Sequence, residues 1–268
     1  MLTILLLLWA PAPLPDQSSV DQAWTVLRDG IDSKNPDRRA KAVHALGNLP
    51  RNARAEEWAE TALGDVSPDV RLQAAAALGQ MGAVAALPKL RNAINDSDVK
   101  VVVSAANALY ALKDPLAYEV YYALLTGERK SPGLVQSQLS TLKNRRELEK
   151  LVLQTGIGFV PFGGMGYEAW KRFTEDAITP LRIAAVEKLA TDPDQKSGEA
   201  LKKSCADKKW QIRAASANAI AKRGDRGLLD GVIPLLLDEN DSVRSEAAAA
   251  VIQLSSPQPT RHRRPTDR

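Results

Sequence analysis

Few side chains of this sequence have the chemistry of a catalytic or metal site. The 268 residues contain one cysteine, Cys205, and two histidines, His44 and His262. One cysteine excludes an intramolecular disulfide, and two histidines are too few for a multi-histidine zinc or iron centre. Cys205 has no basic residue suited to activate it nearby, so we expect a buried core thiol and not a nucleophile. The sequence therefore predicts no catalytic residue, no metal ligand and no cofactor.

A glycine-rich stretch imitates a nucleotide-binding motif. Gly164, Met165 and Gly166 match the loose form of the dinucleotide fingerprint, which functions only between a strand and a helix of a βαβ unit. Helical patterns flank the stretch on both sides, and no phosphate-binding Gly-Lys-Ser or Gly-Lys-Thr sequence occurs. We therefore interpret the match as accidental.

The N-terminal segment is typical of an export signal. Residues 2–10 form an uncharged apolar run, too short for the roughly 20 residues of a membrane-spanning helix. The small residues Ala10 and Ala12 suit a cleavage site, although no lysine or arginine precedes the run. We expect residues 1–19 to be a signal peptide and linker of an exported, periplasmic or envelope-associated protein. A cytoplasmic protein with an apolar terminal extension is the alternative.

A repeat of about 31 residues organises the rest of the chain. An arginine followed by alanines and a leucine recurs, and an aspartate stands six residues before most of these arginines. The steps from Asp65 to Asp96, from Asp176 to Asp207 and from Asp207 to Asp238 are each 31 residues. A fixed period of this length indicates a repeat architecture.

Each repeat has the pattern of two helices. Apolar residues such as Ile212, Ala217 and Ile220 fall at helical spacing, and turn-forming residues separate this helix from an earlier apolar segment. Alanine-rich second helices allow neighbouring units to approach closely, so a core can run along the stack. We count about seven units over residues 20–256, with an insertion of about 16 residues at 155–170 in the fifth.

These units, of which PDVRLQAAAALG ending at Gly79 is an example, resemble the HEAT repeat of armadillo-type bacterial proteins. The resemblance implies an all-α, right-handed superhelical solenoid of antiparallel helix pairs that binds other proteins. It also implies a structural ladder of aspartates and arginines between repeats, formed by Asp65, Arg71, Asp176, Arg182, Asp207, Arg213, Asp238 and Arg244.

The second helices are expected to line a concave groove. Positions two and five after the ladder arginine share one helix face, and the residues there are mostly small and polar, with a formal sum of −1. Such a face lacks the basic stripe that nucleic acid requires and suits a protein or peptide. The candidate partner-binding residues in the groove are Lys41, His44, Gln73, Ser104, Asn107, Glu187, Asn218 and Glu246.

Trp210 is a further candidate at the solenoid edge. It stands in a turn, either as an anchor for a partner or, the favoured interpretation, as a residue packed across a helix start. The insertion is expected to be a clasp over the solenoid, with a partner-binding loop as the alternative. Two other functions stay open: a small-ligand or pigment-related enzyme, similar to bilin lyases, with a pocket under the insertion, and a purely structural module.

The basic charge is concentrated at the C-terminus. The chain has a net charge of +4, and residues 255–268 contain four arginines and one aspartate. Three prolines there favour a disordered tail at 257–268 that makes weak contact with an anionic surface. We predict a non-catalytic scaffold whose partner and oligomeric state the sequence leaves open.

Overall fold

The computed structural model describes residues 17–126 and 178–256, and the regular secondary structure in these ranges is helical. The predicted leader up to residue 16, the fourth unit after residue 126, the insertion, Asp176 and the C-terminal tail lie outside the described residues. The helices are α1 Gln17–Ile31, α2 Pro36–Leu46, α3 Ala53–Ala62, α4 Pro68–Met81, α5 Leu87–Ala93, α6 Val99–Ala111, α7 Leu116–Thr126, α8 Ile178–Leu189, α9 Gln195–Ser204, α10 Trp210–Arg223, α11 Leu229–Val232 and α12 Asp241–Ser255.

Residues with short polar side chains begin these helices. Asn35, Asp98 and Asn240 each precede a helix, and each side chain accepts a hydrogen bond from a backbone N–H of the first turn. Gly82 and Gly224 end α4 and α10 at φ of 74° and 72°, a conformation that glycine adopts without steric cost. The turn signals of the sequence therefore mark real helix boundaries.

Proline breaks the first helix of the last unit. Residues 226–237 form two short 3₁₀ segments around α11, and Pro234 stands near the start of the second segment. The α-helical hydrogen-bond pattern gives way to the 3₁₀ pattern at this proline. Proline causes it because the residue cannot donate the N–H that an α-helix requires.

The second helices stack side by side, α2 with α4 and α4 with α6, and likewise α8 with α10 and α10 with α12. Small residues set their separation: a Cβ added at Gly79 of α4 would lie 2.7 Å from the Cα of Ala108 on α6. One apolar core cluster includes residues of both described segments. The predicted all-α solenoid of HEAT-like helix pairs is thus confirmed.

The two ends of the described repeats also pack against each other. Helix α12, the last helix of the described residues, contacts both α1 and α2. As a result, α12 is covered over most of its length: Val243, Ala247, Ala250 and Leu254 are each fully buried. We call this contact of α12 with α1 and α2 the terminal junction. The expectation of an open superhelix did not include it.

The domain boundaries stay a prediction. Helix α1 begins at Gln17, inside the segment assigned to the leader and linker, and its buried residues include Ala23 and Leu27. In the part of the chain that the structure describes, no helix is both long enough and apolar enough to cross a membrane.

Candidate functional site

Arginine–aspartate pairs connect successive repeats along one edge of the stack. Arg39 binds Asp65, Arg71 binds Asp96, and Arg213 binds Asp238, each through Nε and one terminal nitrogen at 2.7–2.8 Å. The other terminal nitrogen of Arg71 donates to the carbonyl of Asp65, and that of Arg213 to the carbonyl of Asp207. Each arginine therefore joins the turn of its own repeat to the carboxylate of the next, as a charge-assisted bidentate bond allows.

The two remaining described arginines of the ladder behave differently. Arg182 binds Asp207, but its side chain is 44% exposed. Arg244 bonds within its own repeat, to the carbonyl of Asp238 and to the carboxylate of Asp241.

One further pair does not follow the repeat spacing of the ladder. Val102 stands where the third unit lacks its arginine, and there Arg91 of α5 binds Asp114 instead, with Nη2 at 2.6 Å from Oδ2. Asp114 is 5% exposed and accepts the N–H of Leu116, just as Asp65 accepts the N–H of Ser67. The common signal is an aspartate just before a helix that accepts the N–H of the residue two positions later, although the arginine comes from another position.

Pairing with arginine lowers the pKa of two ladder carboxylates, Asp65 and Asp207. The Arg39 guanidinium hydrogen-bonded to Asp65 holds the pKa of that carboxyl below its ordinary value of 3.8, and Arg182 acts in the same way on Asp207. A lowered folded-state pKa stabilises the protein fully above the unfolded value of 3.8, and this stability is lost as the pH falls through the folded value.

We expect the unfolding free energy to fall as the pH is lowered from 5 to 2. The slope should be shallower in Asp65→Asn, because that variant has one carboxylate fewer to protonate. Urea unfolding at a series of pH values measures both slopes. Equal slopes for the variant and the unchanged chain would contradict a contribution of Asp65 to acid sensitivity.

Polar side chains of four second helices meet in one network on the groove side. Glu246 of α12 accepts hydrogen bonds at Oε2 from Asn218 of α10, at 3.1 Å, and from Asn48 in the turn after α2, at 2.8 Å. Asn48 in turn accepts a bond of 2.8 Å from Gln80 of α4. We call these four residues, together with His44 and Gln73, the inner polar network.

His44 connects the same helices through its ring nitrogens. Nδ1 lies 3.0 Å from Oε1 of Gln73, and Nε2 lies 3.6 Å from Oε1 of Glu246. The carboxylate of Glu246 is 5% exposed and has polar neighbours from two other helices. These polar neighbours are needed because a buried charge without hydrogen bonds would be strongly destabilising.

The inner polar network contains four of the residues that the sequence placed in the groove: His44, Gln73, Asn218 and Glu246. Lys41 and Asn107 are half-buried on the same series of helices, and Asn107 accepts a bond of 2.8 Å from the hydroxyl of Tyr121. Asn48 and Gln80 were missed. Each falls four residues after a predicted groove position, His44 or Ala76, so helical spacing could have found them.

Three of the predicted groove residues differ from the expectation of an open face. Gln73, Ser104 and Glu246 are buried, and the hydroxyl of Ser104 donates to the carbonyl of Leu72 on the adjacent helix at 2.9 Å. In these three repeats the helices approach so closely that the position two after the arginine lies between neighbouring helices. The open part of the face starts about one helical turn later.

Glu187 stands apart from the network. Burial raises the pKa of its carboxyl group, and its Oε2 has no hydrogen-bond partner among the described residues.

Trp210 is the first residue of α10 and packs, half-buried, against the core. This position matches the interpretation of Trp210 as a residue packed across a helix start.

Cys205 follows α9 and is 4% exposed, so the prediction of a buried core thiol is confirmed. Burial raises the pKa of the thiol to about 12, which leaves almost no thiolate near neutral pH.

Within residues 17–126 and 178–256, no group of three or more potential ligands could hold a metal ion. The pocket of the enzyme alternative would lie under residues 155–170, outside the described residues.

Helix pairs on a 31-residue period, joined by an arginine–aspartate ladder, define a helical-repeat protein. The sequence model of the family described as HEAT repeats matches residues 24–127 and 170–253, which together are more than half of the chain. The chain therefore belongs to the HEAT-repeat family. No curated protein matches the sequence.

Three solved structures show the range of proteins to which the chain is similar. Human deoxyhypusine hydroxylase in complex with glycerol is 18% identical, with 88% of this chain and 97% of that chain covered and a TM-score of 0.36. The complex of CpcE and CpcF of phycocyanin lyase from Nostoc sp. PCC7120 is 20% identical, with 86% and 94% covered and a TM-score of 0.35. An engineered protein is 15% identical, with 87% and 96% covered and a TM-score of 0.32.

Proposed function

We propose that the protein is a non-catalytic scaffold that binds another protein or a peptide on the face of its second helices. The observation that supports this function best is the inner polar network. It links Asn218, Glu246 and Gln80 of three different helices with Asn48 of the turn after α2, by hydrogen bonds of 2.8–3.1 Å. Side chains fixed in this way offer ordered donors and acceptors, and less entropy is lost when a partner binds them.

The charge of the network favours a protein partner over nucleic acid. Its members are amides, one histidine and one carboxylate, whereas a phosphate backbone is bound by several lysines or arginines along one stripe. Exposed alanines, Ala76 on α4 and Ala111 on α6, leave room beside the network for the backbone or small side chains of a partner.

Bulky substitutions at these alanines test the proposed face. Ala76→Arg and Ala111→Arg add a large side chain without removing a hydrogen bond, so the fold should persist. We expect a specific partner that copurifies with the full chain to lose at least about tenfold in affinity, which corresponds to about 1.4 kcal/mol. Quantitative copurification followed by binding measurements on the purified pair gives the result.

Matched controls are available on the first helices. Ala53→Arg and Ala200→Arg introduce the same side chain at exposed alanines of α3 and α9. A partner lost equally in the control variants, or no partner that distinguishes the two sets, would contradict the proposed face.

We further propose that this scaffold is exported to the envelope of a bacterium and that its C-terminal tail touches an anionic surface. The apolar segment 2–10 and the arginines of residues 261–268 support these two points. A fusion of residues 1–30 to a reporter should reach the envelope. Retention of the fusion in the cytosol would contradict export.

A further inference from the structure

The terminal junction differs from the other contacts between second helices in how it is held together. Its polar contacts join residues about 200 positions apart in the chain, as in the bond between Asn48 and Glu246. Its arginine–aspartate contact is a single one, Arg38 Nε to Asp241 Oδ1 at 3.3 Å, and both side chains are partly exposed, 39% and 30%. Between sequential repeats, by contrast, Arg213 and Asp238 are 11% and 7% exposed and form two short bonds.

Contact between distant segments is also entropically costly. Repeats that follow one another stay close even when their interface opens, whereas α12 and α1 are tethered only through the long intervening chain. Repeat proteins are stabilised by nearest-neighbour interfaces, so the weakest interface opens first.

Opening would not leave Glu246 as an unpaired charge. Asn218 of α10, which belongs to the preceding repeat, continues to donate to its carboxylate, and water can replace Asn48 and His44. The cost of separating α12 from α2 is therefore lower than that of breaking a buried ion pair, which leaves one charge without a partner.

Burial at the inner face shows what the junction covers. At the position five residues after the ladder arginine, His44, Asn107 and Asn218 are half-buried and Ala76 is exposed. The residue at the same position on α12, Ala249, is fully buried. Since this position is at least partly open on these other second helices, its burial on α12 indicates that α1 and α2 close over it.

We propose that the terminal junction is a latch: α12 separates from α1 and α2 while the repeats on either side stay folded, and this opening uncovers Ala249 and the carboxylate of Glu246. The device does not depend on the proposed partner. It gives the chain a closed state, in which the inner polar network is continuous, and an open state, in which the network divides between Glu246 and Asn48.

Thiol labelling in the full-length Ala249→Cys variant measures this opening. Ala249→Cys adds little volume, and the native Cys205, a buried residue of the core cluster, serves as the internal reference for unfolding. We expect residue 249 to react at least about tenfold faster than Cys205, since it needs only the latch to open. Mass spectrometry of peptides distinguishes the two sites. Equal rates at both sites would overturn the latch.

A second substitution shows whether the rate reports the junction. Arg38→Glu places a negative charge opposite Asp241 and should accelerate labelling at residue 249 about fivefold, with Cys205 unchanged. The matched control is Lys100→Glu, because Lys100 makes a similarly loose contact with Asp69, at 4.0 Å, between sequential repeats. Equal acceleration by Lys100→Glu would also overturn the proposal. If Arg38→Glu fails to fold, the two rates in Ala249→Cys alone decide the outcome.

Discussion

Arg213→Ala should lower the free energy of unfolding by about 3 kcal/mol, because it removes one partner of a buried ion pair and leaves the other charged. The Asp238 carboxylate that loses its partner is 7% exposed, and the carbonyls of Asp207 and Lys208 lose a donor as well. Chemical denaturation of the purified chain measures the change in unfolding free energy.

Arg182→Ala is the matched control for this prediction. Arg182 holds the same ladder position and binds Asp207, but its side chain is 44% exposed, so water already screens the pair. We expect a loss of about 1 kcal/mol or less. If the two variants lose the same stability, burial does not determine the contribution of a ladder pair.

Gly79→Val should be similarly damaging, at about 2 to 3 kcal/mol, because it fills the space that lets α4 and α6 approach. A Cβ at residue 79 would lie 2.7 Å from the Cα and 2.8 Å from the Cβ of Ala108. Backbone and Cβ atoms cannot rotate away, so the two helices must separate. Thermal and urea unfolding both report the loss.

The control for Gly79 is Gly64→Val. At Gly64 the nearest atom to an added Cβ is the carbonyl oxygen of Thr61, at an ordinary contact distance of 3.5 Å. We expect a change of less than about 1 kcal/mol there. A comparable loss in both variants would show that the close approach of α4 and α6 is not what the glycine provides.

The sequence predicted local structure well because helix caps and ladder residues act within one repeat or between adjacent repeats. Asn35 and Asn240 are recognisable as caps from their neighbours alone, and Asp65 stands six residues before Arg71 by the repeat period. Pro234 breaks its helix for a reason internal to the residue.

The terminal junction was not predicted because nothing in the repeat period says whether the two ends of a stack meet. Arg38 and Asp241 lie outside the ladder positions, and the partners Asn48 and Glu246 are separated by 198 residues. The burial of Ala249 is a consequence of this contact, and its small side chain suits either an open groove or a closed interface.

Contacts between helices, which the repeat period does not specify, also explain why the burial of the groove residues was not predicted. Side-chain periodicity gave the correct helix face but not the depth of each position on it. Ser104 is polar, as a groove residue should be, yet it bonds to the backbone of the neighbouring helix. How close two helices lie depends on residues such as Gly79 and Ala108 together, so the open part of the face follows from pairs of repeats and not from one.

Intramolecular cross-linking of the Arg38→Cys/Asp241→Cys variant tests most directly whether the two ends of the solenoid meet. Nε of Arg38 lies 3.3 Å from Oδ1 of Asp241, and both side chains are partly exposed, whereas the native Cys205 is buried with its pKa raised to about 12. The shortest bis-maleimide should therefore join residues 38 and 241 within one molecule, giving a looped monomer with altered migration on a denaturing gel. The pair Lys100→Cys/Asp241→Cys, with residue 100 on α6, should stay linear under the same conditions. A linear monomer from both pairs, or cross-linking only between molecules, would contradict the closure of the chain through its terminal repeats.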